Sequence, residues 1–186
     1  MLCRVTTPPG TSDSWQCRSC GRERRGLAFA FGTPAPAPWE VATEAERQQG
    51  EINADVCVLP DRDGVHHYLR GRIELPVLDL AGEVFVWDTW VSLSEANMRL
   101  QVEHWDDPRR EKLDPMFAWV CTALPYEPPT VGLAANLHTR APGLAPWIEL
   151  DPTSPHPLAV EQRQGITVHR VSQFNAQLLD RGGDPA

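Results

Sequence analysis

The sequence holds 186 residues, 17 basic and 25 acidic, for a formal net charge of −8 at pH 7. That length suits one domain able to bury about two-thirds of the surface its unfolded chain would expose, and an apolar share of 41% excludes a disordered chain. No run approaches the ~18 apolar residues of a membrane span, and the acidic balance disfavours sequence-independent nucleic-acid binding.

Residues 1–14 (MLCRVTTPPGTSDS) are polar and broken by Pro and Gly, which predicts a flexible N-terminal arm without the order of a signal peptide. The expected compartment is therefore the cytoplasm. A knuckle-like segment, WQCRSCG at 15–21, and an apolar run at 27–31 follow. The Pro/Ala stretch TPAPAP at 33–38 stiffens the entry to a polar helix over 39–49, ended by Gly50. Strands are predicted at 56–59, 65–77 and 84–93, with Gly64 at the first turn and DLAG at 79–82 before the third strand. Ser92 and Glu95 have capping-box spacing, so a helix should follow with Met98, Val102 and Trp105 on one face. Further strands fit 117–124, 131–138 and 147–150. Pro157 opens a short helix that Gly165 closes, and a last helix aligns Val171, Phe174 and Leu178. Residues 181–186 (RGGDPA) read as a flexible tail. Residues 15–180 thus read as one α+β domain, a largely antiparallel sheet with helices packed on one face and a Cys-x-x-Cys knuckle at its N-terminal end.

Cys17 and Cys20 are spaced so that two thiolates can face one Zn²⁺, with Gly21 relieving the turn. A structural zinc needs four ligands, and completion would fall to distant residues such as Cys3, Cys57, Cys121 or His156. Two unligated structural cysteines, or a redox pair, are the alternatives. Five cysteines, an odd number in a chain without an export signal, do not suggest a disulfide framework. Arg18, Arg22, Arg24 and Arg25 surround the pair, either as a solvated basic surface or as a small anion contact.

The segments RGRIELPV at 70–77 and VFVWDTWVSLS at 84–94 carry the clearest pattern. A tight turn would pair Val77 with Phe85, Leu75 with Trp87 and Ile73 with Thr89 on one apolar face. The other face would then pair Glu74 with Asp88, Arg72 with Trp90 and Arg70 with Ser92. Two opposed carboxylates repel, so a ligand-binding face built from Arg72, Glu74, Asp88 and Trp90 is one reading and a solvated sheet face the other. His66 and His67 alternate along a strand and cannot ligate together. His156, set between prolines, fits a helix cap first, then a core histidine, then a ligand. No nucleophile elbow, metalloprotease helix, phosphate loop or dinucleotide fingerprint is present. Seven tryptophans suit a core, or a cleft for an aromatic ligand or partner.

Six motifs in order, CRSCG at 17–21, DVCVLPD at 55–61, RGRIELPV, WDTWVSLS at 87–94, LPY at 124–126 and HPLAVEQRQGIT at 156–167, resemble the uncharacterised bacterial family called domain of unknown function 2199. The resemblance runs from about residue 15 to 179 and implies no activity. Members often carry a histidine shortly after the Cys-x-x-Cys-Gly, where Arg24 and Arg25 stand here. If that histidine is a ligand in the family, the resemblance implies that this protein either has lost the metal or uses Cys57, in the Asp-x-Cys motif, as the third zinc ligand beside Cys17 and Cys20.

These features support a small ligand- or partner-binding protein with a structural zinc, its partner a small molecule or a protein, without membrane or nucleic-acid contact. The alternative is a small cofactor-free enzyme, of the kind found in secondary metabolism, using Glu74, Asp88 or His156 in a Trp-lined pocket.

Overall fold

The computed structural model describes residues 5–6, 14–16 and 23–179. Two small ladders come first: β1 (Val5–Thr6) pairs with β4 (Leu27–Ala28), and β2 (Ser14–Gln16) with β3 (Glu23–Arg25). After β5 (Ala30–Gly32) come α1 (Ala37–Val41), α2 (Glu44–Gln49), β6 (Glu51–Ile52), β7 (Val56–Asp61), β8 (Gly64–Pro76) and β9 (Val84–Leu93). Then follow α3 (Glu95–Glu103), a 3₁₀ turn at Arg110–Lys112, β10 (Met116–Val120), β11 (Ala134–His138), β12 (Trp147–Leu150), α4 (Pro157–Gln164) and α5 (Val168–Leu179). Cys17 and Cys20, on which the knuckle and its metal depend, lie outside the described residues, as does the tail 181–186.

The strands β8 to β12 run as an antiparallel meander whose last member returns to the first. Each antiparallel step reverses direction, so after four steps β12 must run parallel to β8. It does, meeting it where Trp147 faces Arg72, and the five strands close into a barrel. The amide of Arg72 donates to the Pro146 carbonyl at 2.8 Å across this seam. Beyond the seam the long β8 carries β7 and β6 on the same edge, while β9 accepts β5 in parallel.

Alternation along the strands sorts the residues into two sides. Leu69, Ile73, Leu75, Phe85, Trp87, Val91, Met116, Ala118, Val120, Leu137 and Ile148 point into one buried cluster. Helices α3, α4 and α5 add Met98, Leu158, Ala159, Val171 and Phe174 to it. Trp87 stands edge-on to Phe85 at 4.9 Å and to Phe174 at 5.0 Å. Asn175 of α5 substitutes for a strand: its amide oxygen accepts from the Ala28 N–H at 2.8 Å, and its nitrogen donates to the Ala28 carbonyl at 3.0 Å.

The expectation of helices on one face only is corrected. Trp39 of α1 and the following Ala42 cover Cys57, Leu59, Tyr68, Trp90 and Cys121 on the opposite side of the sheet. The polar helix expected over 39–49 is also two helices. Thr43 interrupts it and restarts the chain with a capping box, accepting from the Glu46 amide at 3.3 Å while the Glu46 carboxylate accepts from Thr43 N–H at 2.7 Å. Likewise Ser94, not Ser92, caps α3, because β9 continues through Leu93 and holds Ser92 in its ladder. The shift turns Gln101 inward with Met98 and leaves Val102 exposed. Among the described residues, no helix is long and apolar enough to cross a membrane.

Candidate ligand-binding site on the barrel wall

The hairpin of β8 and β9 has the expected sides but not the expected partners. Leu75 faces Phe85, Ile73 faces Trp87 and Gly71 faces Thr89, an offset of two residues from the tight-turn register. An even offset keeps the parity of every side chain, so Leu75 and Trp87 remain core residues. The cause is the connection over 77–83. It folds on itself through bonds from Val77 N–H to Glu83 O (3.0 Å) and Glu83 N–H to Leu80 O (3.1 Å), so pairing ends at Pro76 and Val84.

The offset rewrites the polar face. Glu74 does not oppose Asp88; it faces Val86 and accepts from Arg140 at 2.8 Å. Arg72 does not oppose Trp90; it faces Asp88 and donates to it from Nε at 3.0 Å. The carboxylate conflict read from the sequence is therefore absent. Trp90 is 0% exposed, its indole N–H donating to the Thr33 carbonyl at 3.2 Å. The guanidinium over its ring, 5.8 Å from the centroid, belongs to Arg70.

Barrel closure builds a row that the hairpin alone lacks. His138, Trp147, Arg72, Asp88 and Gly32 are successive ladder partners across β11, β12, β8, β9 and β5. The His138 and Trp147 rings lie 4.8 Å apart, and His138 Nε2 is 2.9 Å from the Glu149 carboxylate. A carboxylate only accepts, so Nε2 carries the hydrogen, and Nδ1 has no partner among the described residues. One row along lie Asn136, facing Glu149 on one side and Phe117 on the other. Phe117 and Trp119 of β10 are 53% and 47% exposed and meet edge-to-face at 5.0 Å.

Each ion pair on this wall leaves hydrogen-bonding capacity unused. Arg72 commits Nε and Arg140 one terminal nitrogen, so further guanidinium N–H groups remain, as does one oxygen on Asp88, Glu74 and Glu149. Arg72 stands against Asp88 and Arg140 against Glu74, so these two pairs cancel their charges, while Glu149 is hydrogen-bonded to His138.

The other sequence candidates are engaged elsewhere. His156 is the N-cap of α4: Nδ1 accepts from the Leu158 amide at 3.1 Å and Nε2 donates to the Pro128 carbonyl at 2.8 Å. Both nitrogens are used, in keeping with the cap reading. Cys57 is wholly buried under Trp39, and desolvation pushes its thiol up to about 12, an environment that favours the neutral thiol over a thiolate ligand. Among the described residues, no group of three His, Cys, Asp or Glu side chains could hold a metal. A further buried network joins helices to barrel: Tyr126 donates to Glu161 at 2.5 Å, Arg170 pairs with the other Glu161 oxygen at 2.8 Å, and Trp87 N–H reaches the Tyr126 oxygen at 3.4 Å. Burial and the Glu161 carboxylate both raise the Tyr126 phenol, which suits a fixed donor.

His138, Arg140, Trp147 and Glu149 were not singled out by the sequence reading. The only local signal was alternation in AANLH and WIEL, whose burial does alternate. Nothing local reports that β12 returns to β8. No curated protein matches the chain, and no solved structure does. The match to the family described as "Uncharacterized protein conserved in bacteria (DUF2199)" covers residues 16–166, including every strand of the barrel and the whole polar wall, and the chain belongs to that family.

Proposed function

We propose that the protein is a binding protein that recognises a ligand or partner through the barrel wall around Arg72 and Trp147. The carrying observation is the row itself: an indole between an imidazole and a guanidinium, each charged group held by its own partner on a rigid strand. Preorientation lowers the ordering cost of binding, and the half-exposed groups keep donors and acceptors to spend on a ligand. Arg72, Glu74 and Asp88 of the expected recognition set remain part of this face, while Trp90 acts beneath it as a buried support.

The test compares the immobilised protein with Arg72→Ala and Trp147→Ala, reading retained small molecules and proteins from bacterial cytoplasm by mass spectrometry. A species kept by the parent protein and released by both variants supports the reading. Identical profiles for all three overturn it. An enzymatic reading draws on one observation, the His138–Glu149 pair, whose Nδ1 has no partner among the described residues, whereas His156 has both ring nitrogens engaged. Its signature would be chemical conversion of the retained small molecule, abolished by His138→Ala.

We also propose that Cys17 and Cys20 hold a structural Zn²⁺ in a reducing cytoplasm. Support comes from the pairing of Gln16 with Glu23, since the two cysteines lie in the connection between those partners. Zinc content of Cys17→Ser, Cys20→Ser and Cys57→Ser proteins separates the ligands: loss in the first two alone leaves Cys57 outside the site, and a parent protein without zinc ends the proposal.

A further inference from the structure

We propose that the wall binds a neutral oligosaccharide, with Trp147 as the central stacking platform and Phe117 and Trp119 as an outlying one. The inference deepens the binding reading above and rests on it. Charge is the first argument. Arg72 is answered by Asp88 and Arg140 by Glu74, and Glu149 adds an acceptor hydrogen-bonded to His138, so no cation on the wall is left unanswered by a carboxylate. Such a surface exerts little net Coulomb pull on a phosphate, a nucleic acid or an acidic peptide, and the chain as a whole is acidic. What it offers is alternating donors and acceptors beside flat apolar rings.

A pyranose ring presents the matching chemistry. One of its faces is a patch of C–H bonds that rests on an aromatic ring, and its rim carries hydroxyls that each donate and accept. A guanidinium whose position is set by one bond to a carboxylate can donate to one hydroxyl while the carboxylate's second oxygen accepts from the next. Arg72 with Asp88 has this form beside Trp147, and Arg140 with Glu74 repeats it one row away. Asn136 has no side-chain partner among the described residues and lies between the two platforms, opposite Glu149 and Phe117.

Spacing supplies the second argument. Neighbouring strands lie about 4.8 Å apart and residues about 3.4 Å along a strand, so Trp147 on β12 and Phe117 on β10, two strands across and one row, or two residues, along, have backbones about 12 Å apart. An extended chain of several sugar units would span both platforms. Phe117 and Trp119 are the large aromatics exposed on the wall, which is the state expected of a stacking surface rather than a core.

The experiment is a glycan array of neutral, sulfated and phosphorylated oligosaccharides probed with the full chain, followed by calorimetry on the best neutral ligand. Expected is binding to a neutral oligosaccharide that is insensitive to salt and weakened about tenfold or more by Trp147→Ala or Arg72→Ala. Trp119→Ala, at an exposed position, should keep the melting temperature and weaken long oligosaccharides more than disaccharides. It serves as the test should Trp147→Ala fail to fold. No neutral ligand on the array, a preference for sulfated or phosphorylated glycans, or neutral binding indifferent to Trp147 and Trp119 alike would each overturn the proposal. If the array is blank while a protein retained from cytoplasm still needs Arg72 and Trp147, the sugar assignment fails and the binding reading stands.

Discussion

Replacing Gly71 with alanine tests barrel closure at the point where the site is assembled. Gly71 lies in mid-strand opposite Thr89, facing inward. A Cβ there would sit 2.7 Å from Ile148 Cδ1, 2.9 Å from Ile148 Cγ1 and 2.9 Å from the Pro146 carbonyl oxygen. Two effects oppose each other. Alanine loses less backbone entropy than glycine on folding, a gain of about 0.5–1 kcal/mol in a strand. Overpacking a filled core costs about 1–3 kcal/mol, and here the clashing partners have little freedom. Ile148 is fully buried, and the Pro146 carbonyl is held by the Arg72 amide at 2.8 Å. Loss of that bond would add about 1 kcal/mol. The net expectation is destabilisation of about 1–3 kcal/mol, read by urea unfolding at constant m. Ile148→Val removes Cδ1 and by itself costs about 0.5–1.5 kcal/mol. The double variant should be more stable than the sum of the two singles by about 0.5–1 kcal/mol, because the small residue makes room for the new methyl. Strict additivity, or a Gly71→Ala protein as stable as the parent, would refute the packing of β12 against β8 described here. The same variant should weaken any binding at Trp147, since the seam that sets Trp147 beside Arg72 is displaced.

Leu75→Ala should cost about 2–5 kcal/mol in urea unfolding, because Leu75 is fully buried within the main cluster; an unchanged midpoint would remove it from the core. His156→Ala should cost about 1–3 kcal/mol by uncapping α4 and orphaning the Pro128 carbonyl, whereas His156→Asn keeps the cap and recovers part of the loss; equal stability of both would contradict the cap geometry. Cys57 should resist thiol reagents in the native state and react on unfolding. Its native value of about 12 exceeds the ordinary 9, so between those values the unfolded chain has released the proton and the folded one has not. Stability from this group is then present below pH 9 and falls as pH rises toward 12. Rapid native labelling of Cys57 near neutral pH would count against its burial.

Local chemistry determined much of the architecture before any tertiary information. The alternation in RGRIELPV and VFVWDTW settles which side chains share a face, since strand side chains repeat every two residues and a packed core tolerates only one parity. Pro157 and Gly165 mark the limits of α4 for equally local reasons: proline suits the first helical turn, and Gly165 adopts a φ of +82° that penalises a Cβ. Parity, however, does not choose a partner. Registers two residues apart bury the same apolar set, so the folded connection over 77–83 decided between them, and with that choice Arg72 moved from Trp90 to Asp88. The wall itself required closure. His138 and Trp147 are brought to Arg72 from the far end of the meander, and only the return of β12 to β8, invisible to any local pattern, sets the two rings and the guanidinium in one row.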